Sequence, residues 1–285
     1  MPHVLVTGAA GGIGRAIAEE FAARDGDGLV LTLADRDGPA LEETAGRLGA
    51  ASRTVDLTGP QAPGELIRWA WETRGPVDVL VNAAGVYPSL DMAEVRAEEW
   101  DRLFAVNVRA PVLATAAYAR LAAEHGTAGS VVHISSGSAL RARPGGGPYA
   151  ASKAALEMAT RAAALELGPH GIRVNAVSPG FVPVDSDCNP VAPGYAAAIG
   201  ANPLGRPGTP RDIARAVHWI AGPDASWITG EILRVDGGSS TGALHLPRIW
   251  PPEGTEPPEE PALLGGPEAH HPPHPPADAS EGHTA

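Results

Sequence analysis

Between His3 and Val235 the chain alternates two hydrophobic patterns. Short, almost unbroken apolar runs occur at His3–Thr7, Leu29–Ala34, Ser52–Val55, Val77–Asn82, Ser130–Ser135, Arg173–Ala176 and Glu231–Val235. Runs of this kind predict parallel strands covered on both faces. The stretches between them predict amphipathic helices: Gly14–Arg24, Ala40–Gly49, Gly64–Thr73, Glu99–His125, Tyr149–Leu167 and Pro210–Ala221. Strand alternating with helix implies an α/β fold, a doubly wound parallel sheet of about seven strands with helices on both faces. No internal repeat beyond this alternation is present. The pattern predicts a single domain over residues 1–243.

Beyond it the character changes. Residues 241–285 hold 11 of the 29 prolines, with seven acids and one arginine. Such a segment buries too little apolar surface to offset the cost of ordering it, and its Pro-Pro steps favour extended geometry. A disordered acidic tail is expected over 244–285. Within it Leu244–Trp250 reads as an apolar island able to dock on its own or a neighbouring subunit. His270–His274 reads as solvated tail rather than a metal site, and no metal is expected.

Composition narrows the function classes. The net charge is −12 and no basic stripe occurs, which argues against a nucleic-acid partner. The lone Cys188 excludes an intrachain disulfide framework and suits a reducing compartment. The chain opens directly on an apolar strand without the basic and apolar regions of a secretory signal, and no run reaches the ~18 apolar residues of a membrane span. A soluble, cytoplasmic protein is expected.

Polar and glycine residues cluster at the ends of the predicted strands. The first strand-to-helix junction reads T-G-A-A-G-G-I-G from Thr7, in which Gly8, Gly12 and Gly14 permit a tight turn and close approach of a pyrophosphate to a helix N-terminus. Asp35, 21 residues beyond Gly14, stands where a carboxylate accepts hydrogen bonds from adenosine ribose hydroxyls and repels a 2′-phosphate. NAD is therefore expected over NADP, although the neighbouring Arg36 could accept a phosphate. Asp56-Leu57 after the third strand could face the adenine edge. Asn82-Ala83-Ala84-Gly85 after the fourth supplies small residues. Asn107 interrupts an apolar helix, where a buried amide needs partners.

One pair carries the chemistry. Tyr149 stands in the first turn of a predicted helix and Lys153 four residues on, on the same face. A cation about 4 Å from a phenolate stabilises it by roughly 4 kcal/mol at an effective dielectric of ~20, or up to ~3 pKa units. That would bring a phenol from ~10 towards neutrality and make it a proton donor and acceptor for an alcohol or ketone.

The glycines Gly8, Gly12 and Gly14, the N-A-A-G at Asn82–Gly85, Asn107, Ser136, Tyr149, Lys153, Pro179-Gly180 and the V-D-G-G at Val235 follow one another in order. In these residues the chain resembles the short-chain dehydrogenase/reductase family over about residues 3–240. The resemblance implies a Rossmann-type fold and a catalytic set of Asn107, Ser136, Tyr149 and Lys153. Ser136 is chosen over Ser135 because it stands 13 residues before the tyrosine. It implies that Tyr149 exchanges the hydroxyl proton, Ser136 bonds the substrate oxygen, Lys153 binds the nicotinamide ribose, and Asn107 holds a relay water. Gly8, Gly12, Ile13, Gly14, Asp35, Arg36, Asp56, Leu57, Asn82, Ala83, Gly85, Pro179, Gly180 and Val182 become candidate cofactor contacts, with Tyr149 and Lys153.

The resemblance places a substrate lid at about 183–209 and makes Ser138, Arg143 and Tyr195 candidate substrate contacts. Arg141 and Arg143 read either as solvated loop residues or, through their forked guanidinium, as a carboxylate clamp. One position departs from the family pattern: Val184 stands where a threonine hydroxyl is usual. The expected activity is NAD(P)-dependent interconversion of a secondary alcohol and a ketone on a small, anionic or cyclic metabolite, by a homotetramer or homodimer. The alternatives are a nucleotide-binding sensor or scaffold without turnover, and a non-redox proton transfer.

Overall fold

The computed structural model describes residues 2–184, 196 and 200–242. The predicted tail, Cys188 and Tyr195 lie outside the described residues. Met1–Leu244 forms one compact unit. Seven strands, β1 (His3–Thr7), β2 (Val30–Asp35), β3 (Ala51–Thr54), β4 (Val79–Asn82), β5 (Gly129–Ile134), β6 (Ile172–Pro179) and β7 (Ile232–Val235), form a single sheet in the order β3-β2-β1-β4-β5-β6-β7. Every pairing is parallel. Successive strands are added outward on one side from β1 to β3 and on the other from β4 to β7, so the crevice at the carboxyl ends of β1 and β4 is the switch point where ligands of doubly wound sheets bind.

Among the described residues seven helices flank the sheet: α1 (Gly12–Asp25), α2 (Gly38–Leu48), α3 (Ala62–Arg74), α4 (Ala97–Phe104), α5 (Ala110–His125), α6 (Gly147–Leu167) and α7 (Pro210–Ala221). Two cores result. On one face Ile17, Phe21 and Leu41 from α1 and α2 meet Ile213, Val217 and Ile220 from α7 over Val6, Leu33 and Val132 of the sheet. On the other, Leu66, Ile67 and Trp71 of α3 and Tyr118 of α5 pack over Leu5, Leu80 and Val131. Strands buried on both faces are why their sequences read as unbroken apolar runs.

The predicted helix Glu99–His125 is three pieces. A π-helical turn at Ala105–Arg109 joins α4 to α5, and Pro111 follows within the first positions of α5. Proline has no N–H to give to the carbonyl four residues back, that of Asn107, so the regular ladder breaks there. β6 runs three residues past its predicted end and delivers Pro179 to the crevice. No helix among the described residues is long and apolar enough to cross a membrane.

Candidate active site

The glycine turn after β1 is a cradle that side chains would fill. A Cβ at Gly8, whose φ is 72°, would lie 2.7 Å from the Ala84 nitrogen. One at Gly14 would lie 2.0 Å from the Gly8 carbonyl. Thr7 ties the two loops together, its Oγ1 accepting from the Ala83 and Ala84 N–H groups at 3.1 and 3.2 Å. Helix α1 starts at Gly12 with Gly11 as N-cap, no side-chain cap and no acid in its first turn. Its N–H groups and dipole therefore face the crevice undiluted, as a pyrophosphate requires. Ile13 and Val182 are partly buried against the first core, and Leu57 against the second.

Asp35 ends β2 with both carboxylate oxygens oriented. Oδ2 accepts from the Ala10 N–H at 3.0 Å, and Oδ1 from the N–H groups of Arg36 and Asp37 at 2.6 and 3.1 Å. Asp56 is held below the usual carboxylate range, first by hydrogen bonds from Thr58 and further by the charges of Arg102 and Arg36. Arg36 thus lies within electrostatic reach of Asp56. Gly180 passes its N–H to the Val235 carbonyl at 3.0 Å, and a Cβ there would strike Asp236 Cα at 2.7 Å. Pro179 is the last residue of β6. These residues fit a dinucleotide laid across the crevice.

Asn107, on the π-helical turn and 1% exposed, is fully engaged. Its Oδ1 accepts from the Val86 N–H at 2.9 Å. Its Nδ2 donates to the Val86 carbonyl at 2.8 Å and to Ser152 Oγ at 3.1 Å. Ser152 in turn donates to the Tyr149 carbonyl at 2.7 Å. One amide therefore joins the loop after β4 to the first turns of α6. The sequence expected a satisfied amide or a water-relay group there, and the side chain is the former.

Lys153 is buried, with Nζ donating to the Ile134 carbonyl at 2.8 Å. Burial lowers its pKa to about 8. Nζ lies 5.8 Å from the centroid of the Tyr149 ring. Gly85 is exposed beside it, and a Cβ there would lie 3.6 Å from Nζ and 3.4 Å from Asn107 Oδ1. Ser136 and Tyr149 are hydrogen-bonded, which favours the phenolate, as does the Arg143 charge. Burial outweighs both, and the phenol sits above its ordinary value. The expected depression of its pKa by Lys153 is not met in this arrangement: a lysine that is itself desolvated and turned onto a carbonyl does not offset the loss of water around the phenol.

Ser135 settles its own role differently, donating to the buried Glu157 at 2.8 Å. Ser136 alone faces the phenol. Ser138 gives its N–H to Ser136 Oγ at 3.1 Å, and Arg143 Nη2 stands 3.5 Å from Ser138 Oγ. Arg141 turns away and bonds the Ser239 carbonyl. Val184 packs over the glycine turn, where a Cβ on Gly12 would meet its Cγ1 at 3.5 Å.

Sequence reasoning passed over two residues near the site. His133 is the register partner of Asn82 across β4 and β5, and its Nδ1 lies 3.2 Å from Asn82 Nδ2. Burial, and then the Lys153 charge, lower its pKa to about 3, so it is neutral. A polar residue inside an apolar strand was the available hint. Tyr87 packs edge-on to Tyr149, and nothing in its spacing marks it. No cluster of metal-ligating side chains occurs among the described residues.

Known proteins resemble this chain over most of its length. The family model described as enoyl-(acyl carrier protein) reductase matches residues 8–240. The L-tagatose-forming galactitol 2-dehydrogenase of Cereibacter sphaeroides is 38% identical over 242 residues, covering 82% of this chain and 92% of that protein. Among solved structures, a blue fluorescent protein from a metagenomic library in complex with NADPH matches with TM-score 0.75 and 34% identity, covering 84% of this chain and 98% of that one. A 4-hydroxyisoleucine dehydrogenase complexed with NADH matches with TM-score 0.75 and 26% identity, covering 85% of this chain and 100% of that one.

Proposed function

The chain belongs to the short-chain dehydrogenase/reductase family, and from that premise we propose that it interconverts a secondary alcohol and its ketone on a small, anionic or cyclic metabolite, with Tyr149 as the acid–base group. An NAD(P)-dependent oxidoreductase acting on alcohols is the activity its relatives share in outline. The observation that carries the finer reading is the convergence of Ser136, Tyr149 and Lys153 beside the exposed Gly85 at the switch point of the sheet.

Gly8, Gly12, Ile13 and Gly14 would hold the pyrophosphate, Asp35, Asp56 and Leu57 the adenosine, and Asn82, Ala83, Gly85, Pro179, Gly180 and Val182 the nicotinamide half. The nicotinamide ring, when bound, takes up or supplies the hydride. Everything else falls to the protein. In the reducing direction the Tyr149 hydroxyl gives its proton to the carbonyl oxygen while the Ser136 hydroxyl donates a second hydrogen bond to it. The Lys153 ammonium stabilises the phenolate left behind and binds a ribose hydroxyl. Asn107 holds the loop and helix in register, and its backbone carbonyl, lacking the donor that Pro111 cannot supply, is where a relay water would sit. The Asp35 carboxylate, pinned by Ala10, supports NAD, and the proximity of Arg36 to Asp56 supports the same choice. A homotetramer or homodimer belongs to the proposal, since α6 leaves Met158 and Leu165 exposed. The activity is assigned to residues 1–243.

The test is a screen of alcohols and ketones with NADH and NADPH on the wild type and Tyr149→Phe. Loss of the phenolic oxygen should lower kcat/KM by about 10²–10⁴-fold with little change in cofactor binding. Undiminished turnover by Tyr149→Phe overturns the mechanism. Cofactor binding without turnover of any compound points to a sensor, and product without net NADH change to a non-redox proton transfer.

A further inference from the structure

The reacting phenol has an aromatic neighbour outside the four residues already placed. Tyr87 follows the Asn82–Gly85 turn, and its ring meets that of Tyr149 edge to face, with centroids 6.3 Å apart at 65°. It is half-buried, so part of its surface remains accessible. Its position is fixed from both sides. Val86, the preceding residue, has both its N–H and its carbonyl bonded to the Asn107 amide. Just beyond, the Leu90 N–H and Ser89 Oγ both donate to the Gly145 carbonyl, at 2.8 and 3.5 Å.

Glycines make that lacing possible. A Cβ at Gly145, whose φ is 72°, would lie 2.8 Å from Ser89 Oγ, and one at Gly147 would lie 2.8 Å from Met92 Sδ. Residues 86–92 are thereby held against the segment that leads into α6 and its Tyr149. The second wall is the loop carrying Ser138, Leu140 and Arg143. Met92 and Leu140, one on each loop, are large apolar residues left exposed, at 65% and 45%. Around the phenol and the Arg143 guanidinium these walls offer a flat ring and apolar surface; their carboxylate, Asp91, is exposed at the Gly145 turn, with Oδ1 4.0 Å from where a Cβ on that glycine would lie.

We propose that Tyr87 is a specificity-determining residue, its ring a platform for the flat, C–H-rich face of a cyclic secondary alcohol or ketone. A rigid aromatic side chain supplies contact area at little conformational cost. A ring-shaped substrate has few internal rotors left to freeze on binding, whereas an open chain of the same carbon number loses several. Cyclic substrates therefore gain more from this wall. The inference rests on the site being an alcohol–ketone oxidoreductase, and the two fail separately.

The experiment compares cyclohexanone with 2-hexanone as substrates, with NADH, on the wild type, Tyr87→Phe, Tyr87→Leu and Tyr87→Ala. The wild type should favour cyclohexanone by about tenfold in kcat/KM, within the range a single shaped contact provides. Tyr87→Phe should keep that preference. Tyr87→Leu and Tyr87→Ala should lose it, KM for cyclohexanone rising about tenfold more than KM for 2-hexanone. Equal use of both ketones by the wild type, or equal losses on both in Tyr87→Leu, overturns the proposal. If neither ketone is reduced, saturation-transfer NMR with cyclohexanone decides: transfer to the wild type but not to Tyr87→Leu supports the platform, and no transfer to the wild type sinks it. The oxidoreductase reading is judged apart from this by the screen of alcohols and ketones: cofactor binding without turnover of any compound, or product without net NADH change, overturns that reading and leaves the NMR comparison of wild type and Tyr87→Leu to decide the platform.

Discussion

At the scale of single residues the site turns on two buried groups whose titrations move in opposite directions. Burial raises the Tyr149 phenol and lowers the Lys153 ammonium to about 8. In the reducing direction the site needs a protonated phenol and a charged lysine. The phenol keeps its proton throughout the neutral range, so Lys153 is the group that titrates first. The ammonium is present below about pH 8 and lost above it. The kcat/KM for ketone reduction should therefore fall as pH rises through about 8. Lys153→Met should abolish that limb and depress activity at every pH. It should not destabilise the fold: a base whose folded pKa lies below its unfolded one opposes folding wherever it is charged. Its thermal midpoint at neutral pH should equal or exceed that of the wild type, and a lower midpoint counts against the account. Val184 is the second residue-scale case. It lies over Gly12 without a hydroxyl, so Val184→Thr should gain one hydrogen bond of about 0.5–1.5 kcal/mol toward a bound dinucleotide. NADH titration followed by protein fluorescence should show a roughly two- to tenfold lower Kd, and a weaker complex rejects the idea. The choice of Ser136 over Ser135 came from the family resemblance, through its interval to Tyr149. Its physical reason, the diversion of Ser135 to Glu157, was not legible, because no pattern along one strand reveals a partner on α6.

At the scale of elements, the strands and most helices follow from apolar periodicity, and the differences have local causes. β6 is longer than its apolar run predicts because Val177, Ser178 and Pro179 continue the pairing with Leu233, Arg234 and Val235 of β7, and the polar Asn175 is accommodated within it. Asn175 is satisfied by the Ile228 carbonyl and the Glu231 N–H at 2.9 and 3.0 Å. The π-helical turn at Ala105–Arg109 was invisible because helical spacing continues through it, yet it presents Asn107 to the loop. Arg173, predicted only as the start of a strand, terminates another element altogether. Its guanidinium donates to the carbonyls of Ile220 and Ala221 at 2.8 Å each, and to Gly222 and Ile228 at 3.1 and 3.2 Å. It caps the negative end of α7 and the loop that follows. Arg173→Met keeps the aliphatic stem but takes this donor from the Ile220 and Ala221 carbonyls, whereas Ile228 keeps the Asn175 amide and Gly222 the Ala225 N–H. The expected cost is about 3 kcal/mol, or roughly 6–12 °C in thermal midpoint for a domain of this size. Because α7 packs on α1 and not on the catalytic helix, KM for the ketone should be unchanged in the surviving folded fraction. A shift of less than about 2 °C, the scale of well under 1 kcal/mol here, shows the cap to be dispensable.

Over the whole molecule, the glycine turn, Asp35, Asn82–Gly85, Ser136 and Pro179 stand at the carboxyl ends of strands, which a parallel sheet brings to one edge, while Asn107 comes from the π-helical turn and Tyr149 and Lys153 from α6. The residues that sequence reasoning passed over are those whose roles need a neighbour from a distant strand, and two of them are histidines. His3 on β1 is 2% exposed, with Nδ1 3.0 Å from the Gly75 carbonyl and Nε2 2.8 Å from Thr32 Oγ1. His133 on β5 is 1% exposed against Asn82. The neutral ring satisfies both contacts of His3, as donor to the carbonyl and acceptor from the hydroxyl. Burial lowers the pKa of each, that of His133 to about 3. As pH falls below the unfolded-state value of about 6.5, the unfolded chain takes up protons that the folded one refuses. Stability is then fully present above that pH and lost as pH falls towards the folded-state values, with His133 contributing a slope of up to about 1.4 kcal/mol per pH unit. Glu20, buried among Arg24, Arg211 and Arg215, has its carboxylate pKa lowered chiefly by the Arg24 hydrogen bond and adds to the loss only at more acid pH. Urea unfolding between about pH 6.5 and 5 therefore isolates the histidines. The wild type should lose stability steadily across that window, His133→Asn should lose less, and His3→Asn combined with His133→Asn should be nearly flat. A double variant as acid-sensitive as the wild type would place the proton uptake elsewhere in the fold.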